Sequence, residues 1–316
     1  MIEGIPKISV LIICYKQEEL IKRAINSLLS QKDYIYEICV SDDCSPDRTW
    51  EVLQEYDRQY PGLFKLHQNQ PNVGIFENIE YTWTMPTGDI IYQLAGDDEC
   101  GNGWFKTVIE FIQNNNINYK EELFCIYGDY QAIYPNGDSF IFKNKSIKSN
   151  MDALGLALRR MICNRSACYS INILKKFVRI SEGKSYAVES AQDMQIQMIA
   201  EKNYYLERVG NVYYARIGVC VGKKLDASPE RLSSMEYVRN VMYRLGRSIS
   251  NKDMWYMKYR EATTSGNRPH YNKFQLLIIW VRAFYYKQYI RSSFIKRYIF
   301  ALLRRMPHNS SISMSV

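Results

Sequence analysis

The amino-acid sequence predicts an α/β protein with a mostly parallel sheet, helices on both faces of that sheet, and a helical region at its C-terminal end. Short β-branched runs alternate with amphipathic segments up to about residue 130. Parallel strands need crossover connections, which helices usually supply, so this alternation indicates a parallel sheet. From residue 228 onward the pattern is helical, without clear strands. With 316 residues, 47% of them hydrophobic, the chain can bury a sizeable core.

The first half of the chain supplies five predicted strands and four predicted helices in alternation. Apolar runs of strand length predict the strands, and apolar residues at helical spacing predict the helices. The predicted strands are Ile8–Cys14, Glu37–Ser41, Phe64–His67, Asp89–Leu94 and Phe124–Tyr127. The predicted helices are Leu20–Leu29, Pro46–Gln59, Ile75–Met85 and Gly103–Gln113. Ser45 is a favourable N-cap for the second helix, with Pro46 as its first residue.

Beyond residue 129 the secondary-structure signal weakens. Pro135–Asp138 predicts a hairpin turn, and Met151–Met161 and Asp193–Lys202 predict helices. The strand signals end near Gly222–Pro229, which we take as the domain boundary. We therefore expect a first domain over 1–225 and a second, helical and basic region over 226–316.

The basic excess of the chain lies at its C-terminal end. There are 41 Lys+Arg and 33 Asp+Glu residues, a net charge of +8. Tyr271–Val316 contains eight Lys or Arg and no acidic residue, so the first 270 residues are formally neutral. Because basic residues do not cover the globular part, this charge does not indicate a nucleic-acid partner.

Aromatic residues interleave with the basic residues of 271–305. In Ser293–Arg305, apolar residues share one side of a predicted helix and three arginines lie largely opposite. This composition suits a helix at the surface of an anionic membrane. The alternative is a C-terminal helical subdomain packed on the first domain, with its Lys and Arg side chains in solvent.

The eight cysteines indicate a reducing compartment. They form no Cys-x-x-Cys pair and no zinc spacing, and most sit in apolar, strand-like company, as buried free thiols do. The start of the chain lacks the pattern of a signal peptide, and no uncharged apolar run is long enough to span a bilayer. We expect a cytoplasmic protein.

Acidic residues follow the second and fourth predicted strands at their carboxyl ends. Asp42 and Asp43 follow the second strand, and Asp97, Asp98 and Glu99 follow the fourth. In an open parallel sheet, ligands bind outside the carboxyl ends of the strands. Adjacent carboxylates there suit Mg²⁺ or Mn²⁺ bound together with substrate phosphates. The alternatives are an exposed acidic turn for the second group and turn-and-cap chemistry for the first.

Several other classes of site are disfavoured by missing motifs. No Gly-x-Gly-x-x-Gly follows the first strand, and no Gly-Lys-Ser/Thr phosphate loop exists. Gly-x-Ser-x-Gly is absent and the chain has three His residues, which argues against a hydrolase triad. A nucleotide site without a glycine-rich loop would need a metal ion to neutralise phosphate, which favours a metal at Asp97 and Asp98.

Five segments, taken in their order and spacing, resemble the family 2 glycosyltransferases of the GT-A fold. One is Glu37–Asp47, whose letters EICVSDDCSPD are similar to the family signature Glu-Ile-Ile-Val-Val-Asp-Asp-Gly-Ser-x-Asp. The others are Ile8–Lys16, Ala24–Gln31, Asn72–Gly74 and Gly88–Asp98. The resemblance is dense over about residues 6 to 130, weaker to about residue 222, and says little about the tail.

The resemblance implies roles for residues that would bind a nucleotide-sugar donor. Tyr15 matches the residue that stacks on the base, and Asp43 matches the one that hydrogen-bonds the base, with Asp42 beside it. Asp97 matches the acid that meets the ribose. Asp98 matches the ligand of a Mn²⁺ or Mg²⁺ ion that bridges the diphosphate.

The resemblance also implies a general base, Asp193, which takes a proton from the acceptor hydroxyl. An N-terminal helix acid, favoured by the helix dipole, is the alternative explanation of this residue. Three positions depart from the family pattern. Ala95 stands where an Asp is usual, Glu77 where an Arg is usual, and Gln192 where a Glu is usual.

The implied function is an inverting, non-processive transfer of one sugar from a nucleotide-diphosphate sugar, a UDP-sugar, to a glycan or polyprenyl-linked acceptor. Surface polysaccharide biosynthesis at the inner face of the plasma membrane is the implied setting. One alternative is a catalytically inactive, membrane-associated nucleotide-binding protein with the same fold. A sugar nucleotidylyltransferase is another, but Cys14–Gln17 is not the glycine-rich basic loop that it would need.

Overall fold

The computed structural model describes residues 4–143, 164–177, 188–215, 242–243, 246, 248–263 and 272–285. The chain divides into two compact units, Met1–Leu225 and Asp226–Val316. The helix predicted at Met151–Met161 and the tail helix at Ser293–Arg305 lie outside the described residues. We therefore describe each unit by itself, within those ranges.

The described part of the first unit contains nine strands, six α-helices and two short 3₁₀ helices. The strands are β1 Ile8–Cys14, β2 Glu37–Asp42, β3 Phe64–Gln68, β4 Ile90–Ala95, β5 Glu99–Cys100, β6 Phe124–Ile133, β7 Ser139–Phe142, β8 Cys168–Ser170 and β9 Lys202–Tyr214. The helices are α1 Leu20–Leu29, α2 Thr49–Gln59, α3 Ile75–Thr82, α4 Trp104–Asn114, α5 Ile171–Leu174 and α6 Val188–Ile199.

All nine strands belong to one sheet, in the order β3-β2-β1-β4-β8-β6-β9-β5, with β7 paired to β6. The pairs among β1 to β4 are parallel, as the alternation of strands and helices predicts. The next part is mixed, because the short strand β8 lies between β4 and β6 and is antiparallel to both. β6 and β9 pair in parallel, whereas β7 and β5 are antiparallel to their neighbours.

The core lies where α1 and α4 meet the central strands. The apolar positions of α1 recur at helical spacing, and Ile21, Ala24, Ile25 and Leu28 are buried. They belong to one cluster with side chains of β1, β2 and β4 and with Trp104 of α4. Burying each large aliphatic side chain contributes about 1.5–3 kcal/mol. This packing holds rigid the strands whose ends carry the acidic residues.

Several predicted boundaries differ from the structure. α2 begins at Thr49 rather than at Pro46, because Ser45 turns its hydroxyl toward Asp42 and not toward the first turn of the helix. α6 begins at Val188, and Lys202 already belongs to β9. The sequence predicts no strand at β5, β8 or β9, whose pairing partners lie far away along the chain.

The described part of the second unit contains two longer helices, α7 Asn251–Thr263 and α8 Lys273–Tyr285, which pack on each other. Ser250 caps α7, since its hydroxyl accepts the N–H of Asp253 at 3.1 Å. Ile279 of α8 is buried. Among the described residues, no helix combines the length and the apolar character that crossing a membrane requires.

Glu37 ties four chain segments together at the amino end of the parallel strands. Its carboxylate accepts hydrogen bonds from Ser9 of β1 at 2.6 Å and from the backbone of Thr87, and it forms an ion pair with Lys65 of β3. Burial raises the pKa of Glu37, but these hydrogen bonds outweigh burial, so the pKa lies below its ordinary value of 4.5. The ionised form is therefore favoured by folding.

We predict that Glu37→Gln weakens the dependence of stability on pH in the acid range. Because the folded pKa is lowered, the contribution of Glu37 is present above about pH 4.5 and is lost as the pH falls through the folded value. Urea unfolding between pH 3 and pH 7, roughly the range that brackets this titration, measures it. An unchanged pH dependence in Glu37→Gln, with the exposed Asp33→Asn as the matched control, contradicts the prediction.

Candidate active site

The parallel register brings the carboxyl ends of β1, β2 and β4 to one edge of the sheet. Cys14 pairs with Asp42, and Ile13 pairs with Ala95. The backbone N–H of Asp43 donates to the carbonyl of Cys14 at 3.0 Å, which closes the β1–β2 pairing at this edge. The acidic groups predicted to meet at the ends of the strands therefore lie at the same edge.

The carboxylate of Asp43 is buried and holds the loop that leads into α3. It accepts the amide of Asn69 at 3.0 Å and the backbone N–H groups of Val73 and Gly74 at 2.9 Å each. The Asn72 side chain donates to the Asp43 carbonyl at 2.6 Å. Hydrogen bonds to an ionised carboxylate are stronger than those between neutral groups. Asp43 therefore shapes the loop that lies against this edge of the sheet.

Asp42 is fully buried and organises the turn after β2. It accepts the backbone N–H of Ser45 at 3.1 Å, the Ser45 hydroxyl, and the side-chain amide of Gln68 at 2.9 Å. Burial, with the charge of Asp42 as the next cause, raises the pKa of the Cys14 thiol well above its usual value. This thiol is therefore protonated and does not act as a nucleophile.

A second buried network joins β2 to α3. Asn78 accepts the Ser41 hydroxyl at 2.6 Å and the Asn69 amide at 2.9 Å, and it donates to the Ser41 carbonyl at 3.2 Å. The sequence alone gives no role for Asn78. A serine in the buried strand β2 is the signal that such a polar partner exists, since buried hydroxyls need hydrogen bonds.

Tyr15 lies at the same edge, directly after β1, and is half-buried. The chain turns there, because Lys16 has a positive φ of 56°. The N–H of Lys16 donates to Ser45 at 2.8 Å and the N–H of Gln17 donates to Thr49 at 2.8 Å. These bonds anchor the two residues after Tyr15 to the turn after β2 and to the start of α2.

The acidic run after β4 is enclosed by two arginines. Arg23 of α1 donates to the Asp97 carbonyl and lies 3.4 Å from the Glu99 carboxylate. Arg165 forms an ion pair with the buried Asp98 carboxylate, with Nη1 and Oδ2 3.0 Å apart. Because neighbouring carboxylates repel each other, these cations account for how the acids can lie side by side.

The end of β9 supplies a tyrosine to each of these arginines. The guanidinium of Arg165 lies 3.9 Å from the ring centroid of Tyr213, and that of Arg23 lies 3.5 Å from that of Tyr214. The Tyr214 N–H donates to Asp98 at 3.2 Å, and its hydroxyl donates to Glu99 at 2.7 Å. Burial, followed by the hydrogen bond to Glu99, raises the pKa of Tyr214 to about 12.

The chemistry of Asp97 and Asp98 fits a divalent ion bound together with phosphate. Within the residues that the structure describes, no three His, Cys, Asp or Glu side chains are grouped to hold a metal. Carboxylate oxygens at a strand end nevertheless suit Mg²⁺ or Mn²⁺ when phosphate oxygens complete the coordination. Asp98 would hold such an ion, and its carboxylate is also the partner of Arg165.

Asp193 lies on α6, next to the central strand β4. Its neighbour Gln192 donates a hydrogen bond to Gln93 of β4. Burial raises the pKa of Tyr169 well above its usual value, and the charge of Asp193 is among the further causes. Asp193 is half-buried and is the sixth residue of α6, so it does not open the helix as predicted. The helix dipole acts mainly within the first turn and does not explain this acid.

Residues 9–146 match the family model described as Glycosyl transferase family 2. The putative glycosyltransferase EpsE of Bacillus subtilis is 33% identical over 93 residues, which is 29% of this chain and 34% of EpsE. The chain spans about a quarter to a third of the length of the curated relatives that it matches.

Solved structures share the fold. The S. aureus TarS fragment 1-349 in complex with UDP-GlcNAc is 17% identical, with a TM-score of 0.57 over 94% of this chain and 79% of that chain. GalNAc-T7 with UDP, GalNAc and Mn²⁺ is 15% identical, with a TM-score of 0.53 over 96% of this chain and 59% of that chain. The predicted α/β class and GT-A fold are confirmed.

We predict that Asp43→Ala lowers the free energy of unfolding by about 2–4 kcal/mol, because it removes the buried, charged acceptor of three hydrogen bonds. The loop over Asn69–Gly74 should also lose protection against hydrogen exchange. Chemical unfolding and peptide-level exchange measure the two effects. The matched control is Asp33→Ala, which removes an exposed carboxylate. Equal stability of the two variants contradicts the role assigned to Asp43.

Proposed function

Residues 9–146 belong to glycosyl transferase family 2, and from this premise we propose that the protein is an inverting, non-processive glycosyltransferase. It transfers one sugar from a UDP-sugar to a glycan or polyprenyl-linked acceptor in surface polysaccharide biosynthesis. The observation that carries the proposal is the meeting of Tyr15, Asp43 and Asp97 at the carboxyl edge of β1, β2 and β4. A nucleotide would occupy that edge, where open α/β sheets bind ligands.

The proposed donor site uses the geometry of this edge. Tyr15 stacks on the base, and Asp43 accepts a base N–H while it holds the 69–74 loop in place. Asp42 positions Asp43 through the turn at Ser45, and Asp97 accepts the ribose hydroxyl groups. TarS was solved with UDP-GlcNAc and GalNAc-T7 with UDP, which supports a uridine nucleotide.

A divalent ion held by Asp98 is part of the proposal, and Mn²⁺ or Mg²⁺ suits these oxygens. When bound, such an ion supplies positive charge that stabilises the leaving nucleoside diphosphate. The hydrogen bond from the Tyr214 N–H holds the Asp98 carboxylate in a fixed orientation. Asp97, one residue earlier, places a second carboxylate near Asp98 at the end of β4.

Asp193 is the proposed general base. It takes the proton of the acceptor hydroxyl while that oxygen forms a bond to the anomeric carbon of the donor sugar. The bond from this carbon to the diphosphate oxygen breaks, and its electron pair leaves with the nucleoside diphosphate. A single displacement of this kind inverts the anomeric configuration and needs no covalent intermediate. The Gln-x-x-Arg-Trp signature of processive synthases does not occur in the sequence, which favours single additions.

We predict that Asp193→Asn lowers kcat about 10²–10⁴-fold, the usual contribution of a general base, and leaves UDP affinity unchanged. UDP release from a panel of UDP-sugars with Mn²⁺ measures the first effect, and titration calorimetry measures the second. Glu201→Gln, just beyond α6 and exposed, is the control and should keep wild-type turnover.

Wild-type turnover by Asp193→Asn excludes Asp193 as the base. The competing proposal, an inactive nucleotide-binding protein, gives a different outcome. In that case the wild-type protein turns over no donor, and Asp98→Ala binds UDP as tightly as the wild type. That result overturns the enzymatic proposal as a whole.

We also propose that the second unit contacts an anionic membrane, at the inner face of the plasma membrane. One face of α8 exposes four large apolar side chains, since Phe274, Leu277, Val281 and Tyr285 are 70%, 41%, 48% and 71% exposed. They recur at a spacing of three and four residues, so they form one stripe. The segment 271–316 has no acidic residue, and its positive charge complements anionic lipid headgroups.

We predict that the double substitution Phe274→Ser and Leu277→Ser reduces cosedimentation with vesicles of phosphatidylglycerol and phosphatidylcholine. Removing two inserted apolar side chains should weaken binding by about 10-fold or more. Donor turnover should stay unchanged, because both side chains are exposed. The control is Asn251→Ser, which alters an exposed, uncharged polar position of α7. Equal sedimentation of the double variant and this control counts against membrane insertion of this stripe.

A further inference from the structure

Asp98, the proposed metal ligand, is already engaged by a cation of the chain itself. Its side chain is 2% exposed, and its Oδ2 lies 3.0 Å from Nη1 of Arg165, whose side chain is 22% exposed. The other carboxylate oxygen accepts the Tyr214 N–H at 3.2 Å. A metal ion and the guanidinium would therefore compete for the same buried carboxylate. Two cations at one carboxylate repel each other, so binding of either one weakens the other.

The backbone around Arg165 is fixed, whereas its side chain is partly exposed. The next residue, Ser166, is buried, donates to the Gly128 carbonyl at 2.7 Å and accepts the Gly128 N–H at 3.1 Å. The guanidinium rests on the ring of Tyr213, a contact that holds a flat cation without fixing one direction of its N–H groups. Rotation of the side chain can move the guanidinium away from Asp98 without moving β8.

A diphosphate at this edge would lie in the negative field of several acidic residues, which are Asp42, Asp43, Asp97, Asp98 and Glu99. Its negative charge needs cations of the chain nearby. α3 carries Glu77 at the position where the family resemblance leads us to expect an arginine. Arg165 lies beside Asp98, and a guanidinium matches phosphate oxygens well because its planar N–H donors can bind two of them together.

We propose that Arg165 and a divalent ion are alternative partners of Asp98, and that Arg165, once released by the ion, binds the donor diphosphate. This inference rests on the proposed function for the identity of the donor. Before the donor arrives, Arg165 neutralises the buried carboxylate. When the ion takes Asp98, the guanidinium becomes available to the phosphates that arrive with the ion. Binding of the metal ion and binding of the donor therefore strengthen each other, and the ion binds weakly when no donor is present.

The substitution Arg165→Gln tests this exchange because it should shift two affinities in opposite directions. Mn²⁺ affinity without nucleotide should rise by about 10-fold, since a competing cation is removed. UDP affinity at saturating Mn²⁺ should fall by about 10-fold, since a charge-assisted phosphate contact is lost. The paramagnetic resonance signal of free Mn²⁺ measures the first affinity, and titration calorimetry measures the second.

Opposite shifts separate this role from structural damage, because a disturbed fold would weaken both affinities. The melting temperature gives an independent readout, and Mn²⁺ should stabilise Arg165→Gln more than it stabilises the wild type. Arg165→Lys should bind UDP better than Arg165→Gln does. The control is Arg208→Gln, an exposed arginine of β9 that donates to the Asn102 carbonyl, and it should change neither affinity.

The inference is overturned if Arg165→Gln binds Mn²⁺ no more tightly than the wild type without nucleotide, or if its UDP affinity is unchanged. Failure of both proteins to bind Mn²⁺ also overturns it. None of these measurements requires turnover. A protein that shows the opposite shifts but transfers no sugar would therefore refute the proposed function and leave the exchange at Asp98 in place.

Discussion

The carboxyl edge of β1, β2 and β4 depends on the hydrogen bonds that the buried carboxylate of Asp43 accepts. It lies at the end of β2 and gathers the side chain of Asn69 and the backbone N–H groups of Val73 and Gly74. The loop before α3 is thereby fixed against the strand ends. Without this charged acceptor, the Asn69 amide and the N–H groups of Val73 and Gly74 would each lose a charge-assisted hydrogen bond.

The second constraint is the concentration of negative charge after β4. Carboxylates crowded in this way are stable only with cations close by. α1 contributes Arg23 and the segment before β8 contributes Arg165, and each guanidinium rests on a tyrosine from the end of β9. The part of the sheet beyond β4 therefore does more than extend the core, since Arg165 and both tyrosines come from it and lie around the acidic run after β4.

The sequence predicts the parallel half of the fold and the acidic residues of the site because both signals are local. β1 to β4 are short apolar runs, and the acids follow two of them directly. β8 and β9 lack such a signal, since their stability comes from pairing with strands far along the chain. Arg165 stands 67 residues from Asp98, so no spacing pattern links the two, and only the folded chain brings them together. The predicted start of α2 at Pro46 is wrong because the Ser45 hydroxyl donates to Asp42 instead of capping the helix.

Hydrogen exchange with and without UDP and Mn²⁺ tests the central claim most directly, that the carboxyl edge of β1, β2 and β4 is the nucleotide site. Ligand contact there should slow exchange in peptides that cover residues 69–74 and 96–99, because their N–H groups become less accessible. Uridine without phosphate should protect the first segment more than the second. The account would be contradicted if saturating UDP slowed exchange only in peptides from other parts of the chain. It would also be contradicted if saturating UDP slowed exchange in no peptide.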